Sequence, residues 1–370
     1  MRTVLSIIGT RPEAIKMAPV VQELARYPGE FRSVVCSTGQ HRQMLDQVLR
    51  LFAITPDYDL NLMQHDQHLA QLTARLILGL DETLEVVQPD CVLAQGDTTT
   101  VLTASLVAFY RGIPFGHVEA GLRTGNKHHP FPEEINRRLA DVVADLYFSP
   151  TEGARQALLC EGLPHDNIYV TGNTVIDALL QVAARDGVWS DGPLSSVPQA
   201  GRYVLITAHR RESFGEQFRQ LCLAIRDLAT AFRDVQFVYP VHLNPNVRKP
   251  VGEILSGVTN VSLIEPLDYF WLVQLMKRST LVLTDSGGIQ EEAPSLGIPV
   301  LVMRETTERP EGIQAGVVKL VGTRREHIVA EAERLLTDPE AHAAMASPAN
   351  PYGDGHAAER IVAALRERLA

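Results

Sequence analysis

Asp97, Glu119 and Glu133 are carboxylates placed where apolar runs give way to turns or to the start of a helix. Asp97 and Glu119 fall just after strand-like segments, and Glu133 opens a nearby helix. Three carboxylates collected in one partly dry cleft repel, so at least one should hold its proton more tightly than usual. That is one way to keep a proton donor and a proton acceptor together near neutral pH. Taken singly, each could equally be a helix cap or a surface charge. Arg11 and Lys16 could neutralise phosphate, although Lys16 could also be a solvated helix lysine. His209, beside Arg210 and Arg211, could hydrogen-bond a diphosphate. The stretch from Thr284 to Glu292 reads as a strand end, a tight turn at Ser286-Gly287-Gly288, and a helix start. Adjacent glycines leave backbone N–H groups unobstructed at a helix N-terminus, which suits a phosphate. Glu291 and Glu292 lie in the first turn, within reach of ligand hydroxyls. A sugar nucleotide offers both groups. The same residues would also serve an ordinary strand–helix turn.

The elements that must carry these groups alternate. Short apolar strands are expected at 4–8, 31–37, 91–94, 115–118, 146–149 and 168–170, with helical spacing between them. A turn-rich, aperiodic stretch from Asp186 to Ala200 follows, and a domain junction is placed just before or in it. Alternation resumes with strands at 203–207, 235–239, 261–264, 281–284, 300–303 and 317–320. The tail beyond Gly322 is helical, interrupted at 350–355. This is an α/β chain of two doubly wound domains, with charged residues at the carboxyl ends of the strands and a ligand in the cleft between them.

Composition narrows the function. A chain of 370 residues is long enough for two domains, and a net charge of −10 argues against a general nucleic-acid or anionic-membrane surface. Cys36, Cys91, Cys160 and Cys222 form no C-x-x-C pair, as in a reducing, cytoplasmic setting. The N-terminal apolar run is too short for a signal peptide, and no stretch is long and apolar enough to span a membrane. His128-His129 lacks metal-ligand spacing, so no metal is assigned. There is no G-x-G-x-x-G fingerprint, so no dinucleotide cofactor is indicated. There is also no G-x-S-x-G elbow.

Read together, several segments resemble the non-hydrolysing UDP-N-acetylglucosamine 2-epimerases. They are Gly9-Thr10-Arg11-Pro12-Glu13, Gln95-Gly96-Asp97-Thr98-Thr99, His117-Val118-Glu119-Ala120-Gly121-Leu122-Arg123 and Pro132-Glu133-Glu134. Gly172-Asn173-Thr174, His209-Arg210-Arg211-Glu212, Asp285-Ser286-Gly287-Gly288 and Thr307-Glu308-Arg309-Pro310-Glu311 continue the series. The resemblance covers nearly the whole chain in order. It implies a GT-B-like fold of two Rossmann-like domains, residues 1–175 and 176–355, with the terminal helix 356–370 packing back on the first. It implies a homodimer, no cofactor, and interconversion of UDP-GlcNAc and UDP-ManNAc. The implied route is anti elimination of UDP to a 2-acetamidoglucal, then re-addition.

By the same resemblance, Asp97, Glu119 and Glu133 match acid/base carboxylates, and Lys16 and His209 match residues needed for activity. Arg11, His209, Ser286, Gly287, Gly288 and Glu292 match UDP contacts, with Glu292 on the ribose. Gln40, Gln43, Arg210 and His242 resemble a second, allosteric UDP-GlcNAc site. Asp66 stands where an arginine is found in relatives with that site, and would repel its phosphate. Gln95 replaces a common histidine, and its amide can take over a hydrogen bond. The rival readings are a GT-B glycosyltransferase, an epimerase of a UDP-2,3-diacetamido uronic acid, a hydrolysing epimerase and a non-catalytic sugar-nucleotide sensor.

Overall fold

Runs such as Val4-Leu5-Ser6-Ile7-Ile8 are buried along their whole length, the pattern of strands covered by helices on both faces. In the computed structural model, which describes residues 1–39, 42–62, 68–346 and 350–369, these runs form two parallel sheets. The first contains β1 (Arg2–Ile8), β2 (Phe31–Ser37), β3 (Tyr58–Asp59), β4 (Cys91–Gln95), β5 (Phe115–Val118), β6 (Leu146–Ser149) and β7 (Ile168–Val170). Its strand order is β3-β2-β1-β4-β5-β6-β7. The second contains β8 (Arg202–Thr207), β9 (Val235–Pro240), β10 (Val261–Ile264), β11 (Ser279–Thr284), β12 (Val300–Val302) and β13 (Val318–Leu320), in the order β10-β9-β8-β11-β12-β13.

Both orders reverse direction once. The chain winds outward from β1 to β3, then returns to lay β4 beside β1. It likewise winds from β8 to β10 and returns to lay β11 beside β8. In a doubly wound sheet the loops that leave such a pair part in opposite directions, and a crevice opens at the carboxyl ends of the two strands. The crevice of the first sheet is therefore framed by the turns after Ile8 and Gln95. That of the second is framed by the turns after Thr207 and Thr284.

The strands lie within one or two residues of the sequence-based expectation, except β3. It has two residues and pairs only at Cys36↔Tyr58 and Ser37↔Asp59, so it carries no periodic signal of its own.

The chain forms two compact units, Met1–Ala178 with Gly353–Ala370, and Leu179–Tyr352. The division falls inside the helix Thr174–Ala183, and the aperiodic stretch after it is part of the second unit. There Trp189, Leu194 and Val197 are buried in the core, and the Arg278 guanidinium lies 4.5 Å above the Trp189 ring. The terminal helix Ala357–Arg368 packs on the helix Arg11–Ala25 of the first unit. Its first amides would lack partners, but the Asp177 carboxylate accepts from Ala357 N at 3.2 Å and Ala358 N at 2.8 Å.

Candidate active site

At the first sheet, the turn after β1 needs glycine. A Cβ on Gly9 would lie 2.3 Å from Thr100 Oγ1. Thr10 then caps the helix Arg11–Ala25 in a reciprocal capping box with Glu13. Glu13 is buried. It accepts from Gly9 N at 2.5 Å, Thr10 N at 3.0 Å and Thr98 Oγ1 at 2.5 Å, so one carboxylate ties the turn after β1 to the turn after β4. Burial raises its pKa, against the three hydrogen bonds, and the nearby charge of Asp97 adds to the rise. Glu13 was not among the three carboxylates predicted to share a proton, although the Thr10-x-x-Glu13 spacing announces its cap. Arg11 is half-buried at the helix start, and among the described residues its side chain makes no ion pair.

Asp97 follows Gly96, which turns at φ 89°. Its Oδ2 lies 2.7 Å from an Arg137 guanidinium nitrogen, and its backbone carbonyl accepts from Asn136 Nδ2 at 2.9 Å. Arg137 and Asn136 both belong to the helix Glu133–Val143, so the helix that begins with Glu133 also holds the Asp97 turn. Glu133 is half-buried in the first turn, and its carboxylate has no hydrogen bond or ion pair among the described residues. Its neighbour Glu134 is fully buried and accepts from Thr124 N at 3.1 Å and Gly125 N at 3.2 Å, anchoring the preceding loop.

Glu119, directly after β5, adopts a left-handed backbone at φ 69°, a conformation that costs a non-glycine residue of order 1 kcal/mol. Its carboxylate is held from three segments. Lys16 Nζ lies 2.5 Å from Oε1, Asn173 Nδ2 donates to Oε1 at 2.8 Å, and Gln95 Nε2 donates to Oε2. The amide at position 95 thus makes the hydrogen bond that the sequence reading allowed it. Glu119 Oε2 also lies 3.8 Å from where a Cβ on Gly96 would be, so this carboxylate sits beside the Asp97 turn. The first crevice therefore gathers Lys16, Asp97 and Glu119.

At the second sheet, Asp285 is fully buried after β11. Its Oδ2 accepts from His209 N at 2.6 Å and Arg210 N at 2.7 Å, which binds the turn after β8 to the turn after β11. Its Oδ1 lies 3.6 Å from His209 Nδ1. The His209 ring stacks on His242 with centroids 5.3 Å apart, and His242 Nδ1 accepts from Asn244 N. Two residues expected at different sites, His209 and His242, are thus in contact.

Ser286 stands at the N-cap of the helix Gly287–Ser295, and its side chain makes no capping bond. A Cβ on Gly287 would lie 2.6 Å from an Arg309 guanidinium nitrogen, so glycine lets that guanidinium lie directly against the helix start. Arg309 is paired with buried Glu291 at 2.5 Å. Glu292, also buried, accepts from the Tyr269 hydroxyl at 2.7 Å. The N-terminal end of this helix consequently combines unobstructed backbone with an adjacent guanidinium.

Asn173, Arg137, Asp285, Tyr269 and Arg309 support the predicted residues. Asn173, Asp285 and Arg309 stand in the segments that carry the resemblance, but the sequence assigns none of the five a place in the site. Each acts on a partner far along the chain, where spacing gives no signal. Gln40, the Gln43 side chain and Asp66 lie outside the described residues. Among the described residues no three His, Cys, Asp or Glu side chains form a metal-binding group, and no helix is long and apolar enough to cross a membrane.

A family model for UDP-N-acetylglucosamine 2-epimerase matches residues 22–366. The UDP-N-acetylglucosamine 2-epimerase of Escherichia coli (strain K12) is 56% identical over 371 residues, covering 98% of each chain. The crystal structure of a UDP-GlcNAc 2-epimerase from Neisseria meningitidis bound to UDP-GlcNAc matches with TM-score 0.92 and 50% identity, over 99% of this chain and 100% of that one. An S. aureus protein solved with UDP matches with TM-score 0.88 and 43% identity, over 100% and 97%. The fold class is accordingly GT-B-like α/β, each unit being Rossmann-like.

Proposed function

The chain belongs to the UDP-N-acetylglucosamine 2-epimerase family, and we propose that it reversibly epimerises UDP-GlcNAc and UDP-ManNAc at C2 without hydrolysis. The observation that carries this reading is the Lys16–Glu119 pair beside Asp97 at the strand-order reversal of the first sheet. Carboxylates held there can take a proton from carbon and return one.

The C2 proton of the sugar has no adjacent carbonyl, so a stabilised enolate is unavailable. Departure of the diphosphate makes C1 cation-like and the C2 proton more acidic. Elimination gives a 2-acetamidoglucal. A proton then returns to C2 on the opposite face, and UDP adds back to C1. UDP retained beside the glucal adds as an intramolecular partner would. No electrons leave the pair of reactants, so the reaction calls for no redox cofactor. In this reading Asp97, Glu119 and Glu133 handle the protons, and Lys16 fixes the position and charge of Glu119. Arg11, His209 and the amides of Ser286, Gly287 and Gly288 take the diphosphate, whose charge grows as it leaves. Glu292, aimed by Tyr269, takes the ribose hydroxyls. Arg210 and His242 resemble part of a second UDP-sugar site, with His242 stacked on His209, but Asp66 would repel that ligand's phosphate and weakens the case for it.

The test is NMR of UDP-GlcNAc incubated with the pure protein in deuterated water. UDP-ManNAc should appear and reach equilibrium, with one deuterium at C2. Product without deuterium would rule out the elimination route. Free ManNAc and UDP would indicate hydrolysis, and unchanged substrate would end the reading.

A homodimer is part of the same proposal. Phe109 and Tyr110 on the helix Thr99–Tyr110, and Leu139 and Val142 on the adjoining helix Glu133–Val143, present apolar side chains to solvent. Such faces are commonly covered by a second subunit. Light scattering should give twice the chain mass, and Tyr110→Asp should shift it towards one. A monomeric wild type would refute the assembly.

A further inference from the structure

We propose that His117 is a positioning residue for Asp97, holding the Gly96–Asp97 turn by donating hydrogen bonds from both ring nitrogens. The proposal rests on the reading of Asp97 as a proton-handling group. His117 lies in β5, and its side chain is completely buried. Nε2 is 2.7 Å from the Gly96 carbonyl oxygen, and Nδ1 is 2.6 Å from Asp141 Oδ1. A carbonyl oxygen can only accept, so Nε2 carries a proton. Asp141 is fully buried and lies 2.7 Å from an Arg123 guanidinium nitrogen, an arrangement that keeps it a carboxylate. Nδ1 therefore carries a proton too, and the ring is an imidazolium.

Charges alternate along the chain of contacts. Arg123 also forks onto Glu161, with bonds of 2.9 and 2.8 Å. The result is a row of His117, Asp141, Arg123 and Glu161 running from beneath the Asp97 turn to the surface. Burial opposes the charge on His117, and so does Arg123. The charge and hydrogen bond of Asp141, with the Gly96 carbonyl, outweigh them and raise the imidazole above its ordinary range. For Asp141, burial pushes upward, and His117 and Arg123 together bring it below the usual carboxylate range.

Arg137 holds the Asp97 carboxylate itself at 2.7 Å, and the backbone of the turn has few other constraints. Gly96 N donates to Val118 O at 3.0 Å, Asn136 reaches the Asp97 carbonyl, and Thr98 is tied to Glu13. Only His117 fixes the Gly96 carbonyl, the peptide group immediately before Asp97, among the described residues. A small rotation of that peptide would swing the Asp97 carboxylate, and an error of about 1 Å in a reacting group can cost about 100-fold in rate. His117 is thus a positioning residue that never touches substrate.

The first test uses full-length wild-type protein labelled with ¹⁵N-histidine. At neutral pH both His117 ring nitrogens should give the shifts of a protonated imidazolium. The shifts of a neutral single tautomer would overturn the proposal, and this readout does not depend on any activity. The second test compares two variants by the C2 epimerisation assay. His117→Asn keeps a donor near Asp141 and loses the one to Gly96. His117→Gln can place its amide N–H at the Gly96 carbonyl. Relative to wild type, kcat should fall about 100-fold in the Asn variant and no more than about 10-fold in the Gln variant, with KM nearly constant in both. Equal kcat values in the two variants, or a loss expressed only in KM, would overturn the proposal. A wild type inactive towards UDP-GlcNAc would instead fault the functional reading, and the imidazolium signature would then decide the role of His117 alone.

Discussion

Replacing Asp97 by Asn is expected to leave the fold intact and to lower kcat for UDP-GlcNAc epimerisation about 10³-fold. Asparagine matches aspartate in volume. The turn that carries it is fixed through its backbone, by Asn136 on the Asp97 carbonyl and by His117 on the Gly96 carbonyl. Arg137 is buried, while the Asp97 side chain is about one-third exposed. In the variant Arg137 keeps Glu134 at 3.7 Å and an amide oxygen at position 97 to donate to, so the loss of the charge pairing should cost about 1 kcal/mol. Thermal unfolding should therefore change by only a few degrees. The substitution removes a proton-accepting oxygen and the charge that faces Arg137. Affinity for UDP, measured by calorimetry, should persist, because Asp97 is not among the residues proposed to hold the diphosphate. A variant that binds UDP, keeps its unfolding temperature and turns over at nearly the wild-type rate would remove Asp97 from the proton-handling set.

That such a residue is legible in the sequence follows from the parallel sheet itself. Strands buried on both faces read as unbroken apolar runs, as in Cys91-Val92-Leu93-Ala94. The first charged group beyond each run then marks the ligand edge. Asp97, Glu119 and His209 stand out for this reason. Strand order was not legible. Only the return of β4 to β1 and of β11 to β8 identifies which turns frame a crevice. The supporting residues were hidden for a related reason. Asn173 reaches Glu119 across 54 positions, and Asp285 holds His209 and Arg210 from 76 and 75 positions away. Asp141 was concealed differently, as one acid in a helix with charges on several sides. His117 lay inside an apolar strand, where a histidine gives no sign of its partners. Glu13 was legible as a cap through its spacing from Thr10, yet its tie to Thr98 required the fold.

Lys16→Met should destabilise the protein, and a second substitution should restore the stability without restoring turnover. Methionine approximates the length of lysine and removes the ammonium that lies 2.5 Å from Glu119 Oε1. The two side chains are only 15% and 7% exposed. Removing one partner from a buried pair leaves the other charge poorly compensated, at a cost of about 3 kcal/mol. Urea titration should report this as a lower midpoint with an unchanged slope. The left-handed backbone of Glu119 makes the site more sensitive, because its strain is held by the anchored carboxylate. Adding Glu119→Gln to the Lys16→Met background removes the stranded charge. The amide can still meet Gln95 and Asn173, so most of the lost stability should return, with an interaction energy of about 2 kcal/mol in the double-mutant cycle. Additive effects would mean that the pair is not coupled. Turnover should follow a different course, since an amide at position 119 cannot take up or release a proton. Both single variants and the double variant should remain about 10³-fold slower than wild type. Activity recovering in step with stability would show that Glu119 serves the fold alone.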